Sequence, residues 1–422
     1  MLSKNLTLKI FEAFSIERWN DLVRPFEFIE MDKAAEKMVL AYIIGKFEEQ
    51  RGFSIDWDWM IHGAFFDLLR KIALCDIKSP VQRMIKNDYP EEFRKLNQWV
   101  VDQYKPLITD EQLFSNFSEY CLGDFSDLSE VRKRTLRVLK AAHKYSTMRE
   151  LQMLSVVNEK FRVEGIEKGL NKDIEEYLDL RGLQLLLTKQ RPYDFIMIIE
   201  QLRFQVRWNQ TPRVPKTSVL GHSFFVAVLT LLLEKHSGVE FCSARRCNNF
   251  FAALFHDLPE AVTRDIISPV KQATDGLPSI VKHIEDVIVA KELEPLMDNC
   301  FREELLYFIS DEFSDKIRVP KQDMLLVSPI VNRFENHMPG SPLKTTFEQI
   351  NSYYNMPECS PVDGSLIRVA DHIAAFLEAD SSIRYGITST HLQEGRNNLL
   401  KIYPKGKIIS GINVAEFFAV FS

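Results

Sequence analysis

Apolar residues recur at three- and four-residue spacings along most of the chain. Asn5 to Asn20, Lys33 to Gln50, Trp57 to Leu74 and Pro90 to Tyr104 all carry this pattern, which marks helices with one face turned to a core. Strand-like alternation bounded by turn residues is nearly missing. The pattern predicts an all-α fold. The longest apolar run, Phe224 to Leu233, is too short to cross a bilayer, so no membrane partner is expected.

The same chain repeats itself. Arg18-Trp19-Asn20 recurs as Arg207-Trp208-Asn209, Asp76-Ile77-Lys78-Ser79-Pro80-Val81 as Asp265-Ile266-Ile267-Ser268-Pro269-Val270, and Pro106-Leu107-Ile108 as Pro295-Leu296-Met297, all at an offset of 189 residues. One such match is chance; three at a single offset predict diverged copies of one helical unit. The expected division is a first domain of residues 1–162, a helical connector of residues 163–190 and a second domain of residues 191–422. The charged stretch from Glu159 to Glu176 is the joint.

The copies differ in their polar residues. At the common offset, Asp67 stands opposite His256, Leu68 opposite Asp257 and Lys71 opposite Glu260. A three-residue shift sets Glu36 opposite His222. Matching Leu136–Met148 to Leu366–Ala379 sets Ala142 opposite Asp371. The first copy keeps the apolar frame and loses a set of imidazoles and carboxylates. Residues absent from an intact frame are expected to do something other than hold it.

Those residues are metal-ligand types. His222 opens an apolar helix, His256-Asp257 follows the apolar run Phe250 to Phe255, and Asp371 lies within the largely apolar Leu366 to Phe376. A carboxylate in such a helix is costly to bury unless paired or metal-bound. Each has a plainer reading as well. A buried histidine needs only one carbonyl partner, and Asp371 could pair with Arg368 or another arginine. On a continuous helix, His256 and Glu260 would share a face.

Composition narrows the class. The chain has 422 residues, 45% hydrophobic and 27% charged, with a net charge of -6. This balance argues against stable nucleic-acid binding. Its six cysteines are scattered, and Cys242 and Cys247 have no second pair to complete a zinc knuckle. Free thiols and the lack of a signal-peptide pattern lead to the expectation of a cytoplasmic protein.

The order His222, His256-Asp257, Asp371 resembles the H…HD…D motif of the HD superfamily of metal-dependent phosphohydrolases, and most closely the bacterial 5'-deoxynucleotidases. The resemblance covers roughly Tyr193 to Leu400. It includes an Arg-Trp pair before the first histidine (Arg207-Trp208), a Glu three residues after the HD aspartate (Glu260), an Asp five further on (Asp265), and Pro269-Val270-Lys271. One departure is Gly221, where the family usually has Glu before the first histidine.

The resemblance implies tandem HD-like bundles, the first without metal ligands, packed as an internal pseudo-dimer. It implies one divalent ion, Mn, Co, Mg or Fe, on His222, His256, Asp257 and Asp371. Two imidazoles and two carboxylates leave positions open for water and a phosphate oxygen. Arg207 has the forked donors that match phosphate, and Lys271 adds charge nearby. Glu260 is placed to orient water or pass a proton. Asp265 suits a sugar hydroxyl, and Trp208 suits the sugar or base, or plain core packing.

The expected activity is removal of the 5'-phosphate from a (deoxy)nucleoside monophosphate. The alternatives are a dNTP triphosphohydrolase, to which Arg203, Arg213 and Arg264 would bring extra charge, and a non-catalytic nucleotide sensor. A cyclic-dinucleotide phosphodiesterase is disfavoured because no Gly-Tyr-Pro follows the HD pair.

Overall fold

A computed structural model of the chain describes residues 2–264, 266, 270, 273–320, 334 and 337–421. Two helices, Glu30–Gln50 and Val219–Glu234, are buried along almost their whole length. The second reads Val-Leu-Gly-His-Ser-Phe-Phe-Val-Ala-Val-Leu-Thr-Leu-Leu-Leu and is apolar on every side, as a helix enclosed by others must be. The two pack against each other. Trp57–Leu74 and Glu130–Ser155 cover the first, and Ser243–Phe255 and Gly364–Arg384 cover the second. The fold is all-α. Strands among the described residues are two short antiparallel pairs, Lys316–Arg318 with Pro342–Lys344 and Ile408–Ile409 with Ile412–Asn413.

One apolar core runs through both halves of the sequence. Aromatic rings stitch it together: Phe14 meets Phe225 at 5.9 Å between centroids, and Tyr42 meets Phe251 at 4.9 Å. Such pairs add to plain area burial. The predicted helical joint forms as Lys160–Glu175 and packs on Glu130–Ser155. The rest of the connector packs with the first half. Gly182 of the Arg181–Leu187 helix sits so near the Glu30–Gln50 helix that a Cβ there would lie 2.8 Å from Ile44 Cα.

Two predicted helices are interrupted. The Asn5–Asn20 pattern forms helix only over Lys4–Phe11 with a 3-10 turn at Glu12–Ser15, because the chain then bends through Trp19 at φ 59°. His256 and Glu260 do not share a continuous helix. The Ser243–Phe255 helix stops, and a new short one begins at Glu260. Pro259 has no N–H to give Phe255 and its ring crowds that carbonyl. Leu258 N–H bonds Phe255 at 2.9 Å instead, and Glu260 N–H bonds Asp257 at 3.0 Å. These tight turns put His256 and Asp257 at a corner, free of the helix's own packing. No helix among the described residues is long and apolar enough to cross a membrane.

Candidate metal centre

Ser218 caps the Val219–Glu234 helix by accepting the Gly221 N–H at 2.8 Å, a good N-cap contact. That fixes the first turn, and His222 lies in it, fully buried. Its Nδ1 lies 3.1 Å from Glu378 Oε1 and its Nε2 lies 2.9 Å from Asp371 Oδ1. Asp371 and Glu378 are seven residues apart on the Gly364–Arg384 helix, two turns along one face. They bracket the imidazole from its two nitrogens.

His256 comes from the corner after Phe255. Its Nδ1 meets the Ala253 carbonyl at 2.7 Å. A carbonyl only accepts, so Nδ1 carries the hydrogen and Nε2 keeps a lone pair. That buried Nε2 has no hydrogen-bond partner and lies 3.3 Å from Asp257 Oδ1. Ligand atoms of His222, His256 and Asp257 all fall within 4.8 Å of one another. Cis or trans ligands on one ion at about 2.1 Å are about 3–4 Å apart, so the residues present fit a small divalent cation after minor closing. Asp371 joins this trio through His222 rather than directly.

The electrostatics point the same way. Four carboxylates, Glu378, Asp257, Asp371 and Glu260, act on one guanidinium, Arg207, whose pKa they raise against the effect of burial. Arg207 lies 3.3 Å from Glu378, 3.3 Å from Asp257 and 3.8 Å from Asp371. Burial and Arg207 push His222 down, but Glu378 and Asp371 outweigh them and its pKa rises. Burial alone would lift Asp371; His222, Arg207 and His256 together hold it below the usual carboxylate range. An excess of buried negative charge around two imidazoles is what a divalent cation neutralises.

Glu378 is the residue that sequence reasoning missed. It is fully buried and accepts from four donors: Arg207 Nε at 3.3 Å, Trp208 Nε1 at 2.9 Å, Thr217 Oγ1 at 2.9 Å and His222 Nδ1. A carboxylate on the far nitrogen of a metal-binding histidine fixes the ring's tautomer and direction. The recurring Arg-Trp pair was its signal, since buried Arg and Trp side chains together call for an acceptor.

The other predicted residues take varied places. Trp208 gives its N–H to Glu378, and its ring packs so close to Gly395 that a Cβ there would lie 2.5 Å from it. Glu260 is buried, within the field of Arg207. Asp265 and Lys271 lie outside the described residues. Arg368 is not the partner of Asp371; it stacks over Phe313 at 5.2 Å. The departure at Gly221 has a steric cause, because a Cβ there would lie 2.5 Å from Asp32 and 2.9 Å from Phe14.

No curated protein matches the chain. Residues 199–400 match the family model of the HD domain. That segment begins just before the Arg207 turn and contains His222, the His256-Asp257 corner, Asp371 and Glu378. The chain thus carries an HD domain, the unit of a superfamily of metal-dependent phosphohydrolases, across residues 199–400.

Proposed function

We propose that this HD domain hydrolyses the 5'-phosphate of a (deoxy)nucleoside monophosphate to nucleoside and inorganic phosphate. The observation that carries the reading is the compact ligand cluster of His222, His256 and Asp257, with Asp371 beside it and the Arg207 guanidinium at its edge. A divalent ion held there supplies Lewis acidity to a phosphoryl oxygen and acidity to water. Arg207, anchored on Glu378, is directed so that its remaining donors meet a phosphate oxygen. Glu260, next to Arg207, is the group to orient water or carry a proton to the leaving 5'-oxygen.

A monophosphate is favoured over a triphosphate because two of the three extra arginines are engaged elsewhere. Arg203 is buried on Glu36 at 2.8 Å and Glu150 at 3.3 Å. Arg213 is buried on Thr217 and the Arg207 carbonyl. Only Arg264 is exposed. In this reading residues 1–162 are a degenerate HD-like partner, held to the catalytic half as an internal pseudo-dimer by the shared core.

Phosphate release from nucleoside mono- and triphosphates, with Mn, Co, Mg or Fe added to chelator-stripped protein, tests the proposal. Metal-dependent release from monophosphates, lost in Asp257→Ala along with bound metal, is the expected result. Release only from triphosphates makes the protein a triphosphohydrolase. Nucleotide binding with no release under any metal makes it a sensor. Full activity of Asp257→Ala in chelator removes the site assignment.

A further inference from the structure

The first half carries a polar frame that parallels the one around Glu378. Glu17 bridges Ile29 as Val206 bridges Ser218. Trp19 and Trp208 share φ values of 59° and 55°, and Cys75 and Arg264 share 54° and 64°. Trp19 Nε1 gives to Glu150 at 2.8 Å and Arg18 lies 3.2 Å from the same carboxylate, as Trp208 and Arg207 do with Glu378. These pairs stand at the offset of 189 residues, and the glutamates at 228. They set Lys33, not Glu36, opposite His222, with no shift needed. They also set His143, not Ala142, opposite Asp371.

At three of these positions the first half has a lysine or histidine where the second has a metal-ligand type or a carboxylate. Lys33 stands for His222, His143 for Asp371 and Lys71 for Glu260, while Leu68 stands for Asp257 and Asp67 for His256. Lys33 Nζ gives to Thr147 Oγ1 at 2.8 Å and the His143 carbonyl at 3.3 Å, with Glu150 at 3.9 Å. Lys37, one turn on, pairs with Asp67 at 2.6 Å, and Arg18 with Glu30 at 2.6 Å. Lys71 is partly buried and makes no ion pair among the described residues. The cluster reaches the surface, since the Asp67 side chain is 32% exposed and Asp76 is exposed.

We propose that this side-chain cluster of Arg18, Lys33, Lys37, Lys71 and His143 is a second site, one that binds a phosphate-bearing anion directly and without a metal. Four basic side chains, Arg18, Lys33, Lys37 and Lys71, gather around His143, with Glu30, Glu150 and Asp67 as their carboxylate partners. The site around Glu378 sets Arg207, with Arg213 behind Glu378, against four carboxylates and needs a metal before an anion is tolerated. Burial, then the four cations in turn, push His143 well below the usual histidine range, so it enters as a neutral ring that can donate one hydrogen bond. Burial holds Lys33 down to about 7, so an anion beside it draws in a proton. Leu68 and the lysines remove the means to activate water, and the cluster would hold its ligand without cleaving it.

The test uses the full chain in chelator, so that no metal serves the Glu378 site. Inorganic phosphate and a nucleoside 5'-monophosphate are titrated calorimetrically into wild type, Asp257→Ala, Lys71→Glu and Lys71→Arg. Binding should persist in wild type and Asp257→Ala, weaken at least tenfold in Lys71→Glu, and recover in Lys71→Arg. Equal affinity for both probes identifies an anion site, and tighter nucleotide binding identifies a nucleotide site. Lys71 is partly exposed, so its variants should fold, and unchanged circular dichroism checks this. The inference is overturned if neither probe binds in chelator, or if Lys71→Glu binds as wild type does.

Discussion

Replacing Glu378 with Gln is the most informative single change. Each Glu378 oxygen accepts two donors, Arg207 and Trp208 on Oε2, Thr217 and His222 on Oε1. Gln keeps the shape and one oxygen, but turns an NH2 toward two donors and removes the charge. Each buried donor left unmet costs about 1–3 kcal/mol, more when charged, and breaking a buried ion pair costs about 3–5 kcal/mol. A loss of about 3–5 kcal/mol in unfolding free energy is expected from urea titration. The His222 ring also loses its firm orientation, and loss of such a supporting contact lowers metal affinity about 10- to 100-fold. Glu150→Gln is the internal control. Glu150 accepts from Trp19 at 2.8 Å, Arg18 at 3.2 Å and Arg203 at 3.3 Å, so its loss should destabilise by a similar amount. It touches no residue of the metal centre, and metal affinity measured by calorimetry should not change. If both variants lose stability equally and both keep wild-type affinity, the orienting role of Glu378 is refuted.

Two further outcomes follow from the geometry. Arg207→Ala and Glu260→Ala should both slow phosphate release while keeping the metal, the first mainly by weakening substrate binding, by about 2 kcal/mol for a charge-assisted contact; metal loss in either, read by elemental analysis, would place that residue among the ligands. Burial lifts the Asp32 carboxyl from 3.8 to about 6, with Arg203 and Ser218 pulling the other way. A carboxyl raised on folding stabilises below its unfolded pKa, and that contribution is lost as pH rises through about 6. Asp32→Asn should therefore gain stability over wild type at pH 7, on the order of 3 kcal/mol at most, and lose the advantage toward pH 4. A urea midpoint difference that does not vary with pH rejects this.

The helical architecture was legible because burial imposes a period on the sequence. Trp57–Leu74 and Pro90–Tyr104 begin and end where their patterns do. The His256–Glu260 pair was misread as one helical face because a single proline outweighed the surrounding apolar period. The ligand types at His222, His256, Asp257 and Asp371 could be picked out because imidazoles and carboxylates are conspicuous in apolar segments. Glu378 was not, since it opens an ordinary-looking acidic stretch, Glu378-Ala379-Asp380-Ser381, and its burial depends on Arg207, 171 residues away. Arg203 was misjudged for a similar reason. Its acceptors, Glu36 and Glu150, lie in the other half of the chain, and only the folded structure brings them together.

The contacts between the halves tie the geometry of the candidate site to side chains of the first half. The Ser218 hydroxyl that caps the His222 helix also donates to Asp32 at 2.5 Å. The space a larger residue at Gly221 would fill is taken by Asp32 and Phe14. Arg203, two residues before the turn that carries Gln205 and Arg207, is locked on Glu36 and Glu150. The start of the His222 helix and the approach to the Arg207 turn are thus both set by side chains of the first half. Loss of the Asp32 contact to Ser218 would shift the imidazole, and loss of the Glu36 contact to Arg203 the guanidinium, and an error of about 1 Å in such placement is enough to cost a large part of a rate. Asp32 through Ser218, and Glu36 through Arg203, tie the first half to that site.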